Sequence, residues 1–502
     1  MNSFSILAEG VANITEIDPL TQKILLEVDA PSLASNQADV ERVQESLENK
    51  FGKVLIPLKF MRHIPSACRE GNWQVTATVG VSPGGGWELV DLRPGNTTKN
   101  HYGLSIDIGT TTVVVYLVDM DSGKIIDYTA GYNGQVKLGQ DILTRIYLAA
   151  TPDGAEELKK AVLGTLNQLI ERIGNRNNIP AGEISAATIG ANSTMIHLLL
   201  GLDPSRIAVT PYIPVVNNPG LFKAAEVGLE INPLAVVYLM PAAGSYVGGD
   251  IVAGVLASGM HRSAELTLFV DIGTNVEVVL GNKDWLVACA GAAGPALEGG
   301  VAQSGMQAQS GAIESVRIDP LTGQVHYTTI GNTPAKGLCG SGLIDCLAEL
   351  FLDGIIDRAG HFQNSQKEYI LVPADKSAEG KDILVTQNDI NNLMRTKGAV
   401  NAALDLLLES VGLDLSVIER FYASGAFGHY LNLESAVTIG IYPDLPREKM
   451  VRIGNTSGEG ARMALVSNQK RREAEGIVGK MTYFELIASQ EFMISLQKVR
   501  FA

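Results

Sequence analysis

Two short stretches of this 502-residue chain carry residue types and spacings suited to phosphate chemistry. In the first, Asp107-Ile-Gly-Thr-Thr-Thr112, an apolar strand ends on a carboxylate, Gly109 and Thr110 supply the bend, and a β-branched run returns to Asp119. The second is a partial copy, Asp271-Ile-Gly-Thr-Asn275, within Leu268–Leu280. A tight Gly-Thr turn points backbone N–H groups outward into a concavity that accepts phosphate oxygens, and the threonine hydroxyl adds a donor. A carboxylate at the strand end suits a hydrated magnesium ion, which takes one or two carboxylates with waters and phosphates. One such hairpin is ordinary turn chemistry. Two, each opening a lobe, point to one nucleotide-phosphate site in halves. Asp107 and Asp271 would hold the metal through water, with Gly109, Thr110, Thr111, Gly273, Thr274 and Asn275 around the phosphates.

Three further features have both a chemical and a plain reading. In Ser424-Gly-Ala-Phe-Gly428, Gly425 and Gly428 permit close approach of an adenine or ribose with Phe427 packing nearby, or the segment is merely a loop at a strand end. Asp250 is either an orienter or base for an attacking water or a carboxylate that favours a helix N-terminus. Glu298, in a glycine-rich loop, is a weaker candidate for the water and otherwise only fixes that loop.

The elements that must position these residues are legible in outline. Residues 1–100 read as a small α+β domain, with strands at Val11–Ile17 and Lys23–Val28, a helical stretch from Pro31 to about Leu47, a helix over Pro57–Cys68 and a hairpin around Pro83-Gly-Gly-Gly. It carries no catalytic constellation, so a docking or spacer role is expected. Residues 101–259 read as a first α/β lobe, in which a three-strand meander precedes helices at 139–149 and 155–173, a buried strand at Ala186–Ile189 and a helix capped by Asn192. Tyr246–Gly259 is a helix of small residues that invites close backbone approach. Residues 260–502 repeat this plan coarsely, with a second meander, Gly337-Leu-Cys-Gly-Ser-Gly342 opening a helix, a helix at Lys397–Val411 and a strand at Arg420–Ala423.

Composition narrows the class. With 46% hydrophobic and 19% charged residues the chain is globular, and its length calls for two to four domains. A net charge of −15 argues against a nucleic-acid surface or an anionic-membrane binder. There is no secretory signal at the start and no run of about 18 apolar residues. Cys68, Cys289, Cys339 and Cys346 are sparse and irregular, as expected of free thiols in a reducing cytoplasm. They match neither a zinc pattern nor a plant-type iron–sulfur site.

The order of hairpin, small-residue helix, hairpin, glycine-led helix and glycine turn resembles the actin, heat-shock chaperone and sugar-kinase superfamily. That resemblance implies two RNase-H-like lobes with Mg–ATP in a cleft. Asn192-Ser-Thr-Met-Ile-His197 and its continuation to Pro204, Ala293-Gly-Pro-Ala-Leu-Glu-Gly299, Tyr442-Pro-Asp-Leu-Pro-Arg447 and Ile453-Gly-Asn-Thr-Ser457 are more specific. They are similar to reductive activators of corrinoid proteins, including those of O-demethylase systems, over essentially the whole chain. What this implies is ATP-dependent return of a corrinoid cobalt from Co(II) to Co(I), with a corrinoid protein as partner. Family members usually carry a plant-type [2Fe–2S] domain, and no cysteine precedes Cys68. The electron donor is therefore expected on another domain or protein. A homodimer is left open. A small-molecule kinase of the same fold, or an ATPase activator of an acyl-CoA dehydratase, are the alternatives.

Overall fold

A computed structural model of the chain describes residues 14, 16–273, 275–291, 302–363, 366–425 and 431–484. It divides into two compact units, one running to Ala257 and completed by Ser457–Gly479, the other formed by Ser258–Thr456 with the segment from Lys480.

The first unit begins with the small α+β domain. Strands β1 (Thr21–Glu27), β2 (Val54–Leu55), β3 (Gln74–Val81) and β4 (Trp87–Pro94) form a sheet in the order β1-β3-β4-β2. The helices Asp39–Phe51 and Leu58–Glu70 bury Val43, Leu47, Phe60 and Ile64 in its core. The first helix starts at Asp39, not near Pro31. Arg42 explains the shift, because its guanidinium binds the carbonyls of Asp29, Ser35 and Gln37 and so holds 29–37 in an irregular path. Leu33, within the stretch expected to be helical, is fully exposed. Of the strand expected at Val11–Ile17, residues 14, 16 and 17 are not strand and the others lie outside the described residues.

The unit continues with strands β5 (Tyr102–Ile108), β6 (Thr112–Asp119), β7 (Ile125–Tyr132), β8 (Ile184–Ala191), β9 (Gly220–Lys223) and β10 (Val236–Leu239), in the order β7-β6-β5-β8-β10-β9. β5, β6 and β7 are an antiparallel meander, and β8 lies parallel to β5 with Asp107 opposite Gly190. Alternation along β5 sends Leu104, Ile106 and Ile108 to one face, where they pack with Leu158, Val162, Leu166 and Leu169. Those four lie on the long helix Pro152–Asn177, started by a Thr151 cap and a proline in its first turn and ended by left-handed Asn178. Ser105 and Asp107 point to the other face.

Strands β11 (Thr267–Ile272), β12 (Val276–Gly281) and β13 (Leu286–Gly291) open the second unit as another antiparallel meander. Strands β14 (Ala312–Ile318), β15 (Val325–Thr329) and β16 (Gly337–Leu338) form a small sheet against the helix Gly340–Leu352, and β17 (Glu368–Val372) pairs with β18 (Ile383–Thr386). β19 (Arg420–Ser424) and β20 (Met450–Gly454) join the meander in parallel, and β21 (Met481–Phe484) flanks its far edge. The order β20-β19-β11-β12-β13 reproduces β10-β8-β5-β6-β7. The helix Gln387–Ser410 packs on β12 and β13 and is ten residues longer at its start than the sequence suggested, because Thr386 and Asp389 make a reciprocal capping box.

The first unit is completed by a chain segment that comes back to it. The helix Thr456–Val466 and the helix Asn468–Lys480 cover the face of the six-stranded sheet that carries Ser105 and Asp107 and reach the small domain. Ser105 Oγ donates to the carbonyl of Gly458 at 2.6 Å, and a Cβ on Gly458 would lie 2.5 Å from the Tyr116 ring. The amides of Asp18 and Leu20 bond the carbonyls of Val466 and Leu465 at 2.9 and 3.0 Å. Among the described residues no helix is long and apolar enough to cross a membrane.

Candidate functional site

The first hairpin is braced from behind. Gly109 N–H bonds Thr112 O at 2.9 Å and closes the turn, and a Cβ on Gly109 would meet that carbonyl at 2.7 Å. Three successive carbonyls are then pinned from one side. Asn133 Nδ2 donates to Gly109 O at 3.0 Å, Arg145 Nη2 to Thr110 O at 2.7 Å, and Asn133 N to Thr111 O at 2.8 Å. Because each peptide is planar and trans, the N–H that follows a pinned carbonyl points the opposite way. The amides of Thr110, Thr111 and Thr112 are therefore aimed together on the face away from the braces, the geometry of an anion-binding nest.

Asp107, next to last in β5, lies on the face covered by the returning helix, and Ser457 Oγ donates to its Oδ1 at 2.8 Å. A Cβ on Gly190, the residue opposite Asp107 on β8, would strike Ser457 Oγ at 2.7 Å, so glycine makes room for that hydroxyl. Asp250 lies in the first turn of the helix Gly249–Ser258, where its Oδ1 accepts the Ile251 amide at 2.9 Å. The helix start packs against the end of β8: a Cβ on Gly248 would meet Asn192 Cα at 2.4 Å and Asp250 Oδ1 at 2.7 Å. Asn192 in turn caps its own helix through Met195 N and reaches Thr110 Oγ1 at 3.3 Å. One unit thus gathers Asp107, Gly109, Thr110, Thr111 and Asp250. The small-residue helix allows the close approach read from its composition, since a Cβ on Gly460 would meet Ala253 O at 2.1 Å.

In the second unit Asp271 lies opposite Ser424 on β19, and Ser424 Oγ donates to its Oδ2 at 2.7 Å. Ser424 has one proton to give, so Thr456 is the donor in their 2.5 Å contact. Desolvation by the surrounding protein pushes the Asp271 carboxyl up from the ordinary range, and the Ser424 hydroxyl opposes it. Gly273 N–H bonds Asn275 O at 2.9 Å, closing this turn as Gly109 closes the first. Gly425 has φ +89°, and a Cβ there would meet Ile272 O at 2.8 Å and Asp271 Oδ1 at 2.9 Å. The second hairpin and the start of the glycine turn are therefore in contact through Gly425. Thr274, Glu298, Phe427 and Gly428 lie outside the described residues.

Several positioning residues were not singled out from the sequence. Arg145, wholly buried, binds Gly139 O at 2.8 Å and Gln135 Oε1 at 3.1 Å as well as Thr110 O. Asn133 and Gln135 join it, and Ser457, within the motif Ile453–Ser457, was given no role at the site from the sequence. Their only advance signal is an odd polar residue in an otherwise apolar helix or turn.

The four cysteines are free and buried. Burial pushes the Cys68 thiol up to about 11 and Cys346 up to about 12, and Cys289 is raised as well. Cys339 Sγ donates to Ile313 O at 3.2 Å. Buried thiols, three of them pushed toward the protonated form, do not suit the thiolate ligands of an iron–sulfur cluster. Among the described residues no cluster of three or more His, Cys, Asp or Glu could hold a metal by itself.

Known proteins match along the chain. Residues 10–99 match the RACo linker region, 102–263 the RACo middle region, and 265–501 the C-terminal domain of RACo, the ASKHA domain. The corrinoid activation enzyme RamQ of Eubacterium limosum is 33% identical over 428 residues, 81% of this chain and 72% of the relative. The Co(II) methylated amine-specific corrinoid protein reductase of Methanosarcina barkeri is 24% identical over 412 residues, 76% and 73% of the two chains. A solved reductive activator for corrinoid, iron–sulfur protein superposes with a TM-score of 0.91 at 41% identity, covering 99% of this chain and 81% of that one. The chain belongs to the RACo family, whose linker, middle and ASKHA regions it carries in that order.

Proposed function

We propose that this chain uses Mg–ATP to drive the reductive reactivation of a corrinoid protein, returning its cobalt from Co(II) to Co(I). The observation that carries this reading is the match to two curated relatives named for corrinoid activation and corrinoid protein reduction. The braced hairpin and its copy support the nucleotide part.

The residues present fit a magnesium nucleotide. Each hairpin carries, one residue before its strand ends, a carboxylate oriented by a serine hydroxyl, and close packing calls for glycine at Gly109 beside the first and at Gly425 beside the second. Magnesium takes one or two carboxylates in company with phosphate oxygens and water, and Asp107 and Asp271 are the carboxylates proposed for it. In this reading the amides of Thr110, Thr111 and Thr112 bind phosphate oxygens, with Gly273, Thr274 and Asn275 doing the same in the second hairpin. Gly425, Phe427 and Gly428 admit the nucleoside, and Asp250 orients the attacking water, with Glu298 the weaker candidate. Mg–ATP supplies a preference for one conformation of the protein, and it shifts the equilibrium only by its differential affinity for the two states.

The cysteines do not fit a [2Fe–2S] cluster, so no redox step is assigned to this chain. The electron is proposed to come from a [2Fe–2S] donor on another domain or protein, in the cytoplasm, to the chain's complex with the corrinoid protein, whether as monomer or homodimer. The test mixes the chain with a Co(II) corrinoid protein, a reductant and a [2Fe–2S] donor, and follows the Co(II) absorbance. Loss of that absorbance only when Mg–ATP is present is the expected result. Equal loss with a non-hydrolysable ATP analogue would remove hydrolysis from the mechanism, and no loss under any condition would remove the function.

A further inference from the structure

The first unit holds a second concave site, a cavity of about 370 Å³ lined by no residue of the two Asp-Ile-Gly-Thr hairpins. It lies where the β3–β4 hairpin of the small domain, the edge strand β9 and the returning helix Asn468–Lys480 meet, and Tyr238, Arg471, Arg472, Glu475, Asn218 and Asn468 face it. Its size is that of a small-ligand pocket.

We infer that this cavity binds a small oxyanion, a carboxylate or phosphate ester that also carries a hydroxyl or amino donor, through Arg471, Arg472 and Tyr238. Arg471 is 7% exposed, yet among the described residues its guanidinium donates only to neutral carbonyls, Ala464 O at 2.7 Å and Asp18 O at 3.3 Å. Burial draws its pKa down to about 10, and the nearby Asp18 and Glu475 carboxylates offset that only in part. Tyr238 is 3% exposed, and its hydroxyl has no hydrogen-bond partner among the described residues. A buried hydroxyl without a partner is costly unless something else satisfies it. Arg472, at the rim, makes no ion pair among the described residues. Neither does Glu475, one turn beyond Arg471 on the same helix. Two arginines and a carboxylate around one cavity, none paired with another, complement a ligand that has an anionic end and a donor beside it. Such a ligand would tie the returning helix to the small domain, so it would act on the first unit's cohesion rather than on the phosphate hairpins.

The test titrates the full chain calorimetrically with L-serine, which carries a carboxylate and an amine, and with glycerol 3-phosphate, which carries a phosphate and hydroxyls. Saturable binding of either, weakened about tenfold or more by Arg472→Ser and by Tyr238→Phe and unaltered by Asp107→Ala, is expected and identifies the oxyanion class. Absence of binding by both would overturn the inference. So would binding that Arg472→Ser and Tyr238→Phe leave unchanged, or that Asp107→Ala abolishes. Melting of the unliganded Tyr238→Phe protein is a second check. The structure gives that hydroxyl no partner, so the midpoint should not fall, and a fall of several degrees would show a structural hydrogen bond and sink the proposal.

Discussion

Replacing Arg145 by methionine keeps much of the side-chain volume and removes every donor it aims at the first hairpin. Thr110 O and Gly139 O each lose a short bond, at 2.7 and 2.8 Å, and both are shut off from water by the buried side chain that served them. A buried acceptor left without a partner costs about 1–3 kcal/mol, so the pair should cost the first unit about 4 kcal/mol. At a urea m-value of about 3 kcal/mol/M the unfolding midpoint falls by roughly 1 M. Trp73 and Trp87 report on this unit, so the assay follows their fluorescence in a Trp285→Phe background. Freed from its brace, the Thr110–Thr111 peptide can rotate and the three amides lose their common aim. The affinity for Mg–ATP should fall about tenfold or more, a loss of at least ~1.4 kcal/mol. Arg176→Met is the control. Its ion pair with Asp127 is at the surface, with Arg176 half exposed, and should contribute less than about 1 kcal/mol. An Arg145→Met protein with the parent's midpoint and the parent's nucleotide affinity would refute the bracing argument.

Asp107→Ala should abolish magnesium-dependent nucleotide binding, measured by titration with and without the metal; retained tight binding counts against the metal assignment. Asp250→Asn should lower ATP turnover by about 10²-fold or more with little change in nucleotide affinity, and full turnover would return Asp250 to a helix-end role. Gly425→Ala places a Cβ 2.8 Å from Ile272 O at a φ of +89°, and should cost about 1–3 kcal/mol of stability by denaturant titration. His197 is buried, accepts the Val215 amide at 3.0 Å and has its pKa lowered from 6.5 by desolvation. The unfolded chain therefore binds the extra proton first, so stability is full above about pH 6.5 and declines as the pH falls below it. His197→Gln should flatten that decline in urea titrations between pH 8 and pH 5.

Both hairpins were legible because the signal is local: an apolar strand, a carboxylate, a glycine turn and a β-branched return all lie within about a dozen residues. The Asn192 cap was legible for the same reason, and its side chain does accept from Met195 N. The helix expected from Pro31 failed because a single long side chain, Arg42, outcompeted the backbone ladder for three carbonyls. Strands β9 and β10 were overlooked, being four residues each and too short for a period to show. The braces of the site escaped altogether. Ser457 is 350 positions from Asp107 and Arg145 is 35 from Thr110, and nothing in the pattern around a serine or an arginine encodes a partner at that distance.

The return of residues 457–479 to the first unit also sets an order of events during synthesis. The ribosome must make Ser258–Thr456, about 200 residues, before the first unit can be finished. At about 10 residues per second that is roughly 20 s in which Ser105, Asp107 and Tyr116 await the helix that will cover their face. The closing contacts, Ser105 with Gly458 and Asp107 with Ser457, join residues more than 300 positions apart, so they carry a high loop-closure cost and should form late. The carboxylate assigned to the metal thus acquires its orienting hydroxyl only when the chain is almost fully translated. A nascent or prematurely terminated chain would own the braced hairpin without the hydroxyl that orients its carboxylate, and magnesium-dependent nucleotide binding would itself report that synthesis had passed residue 457.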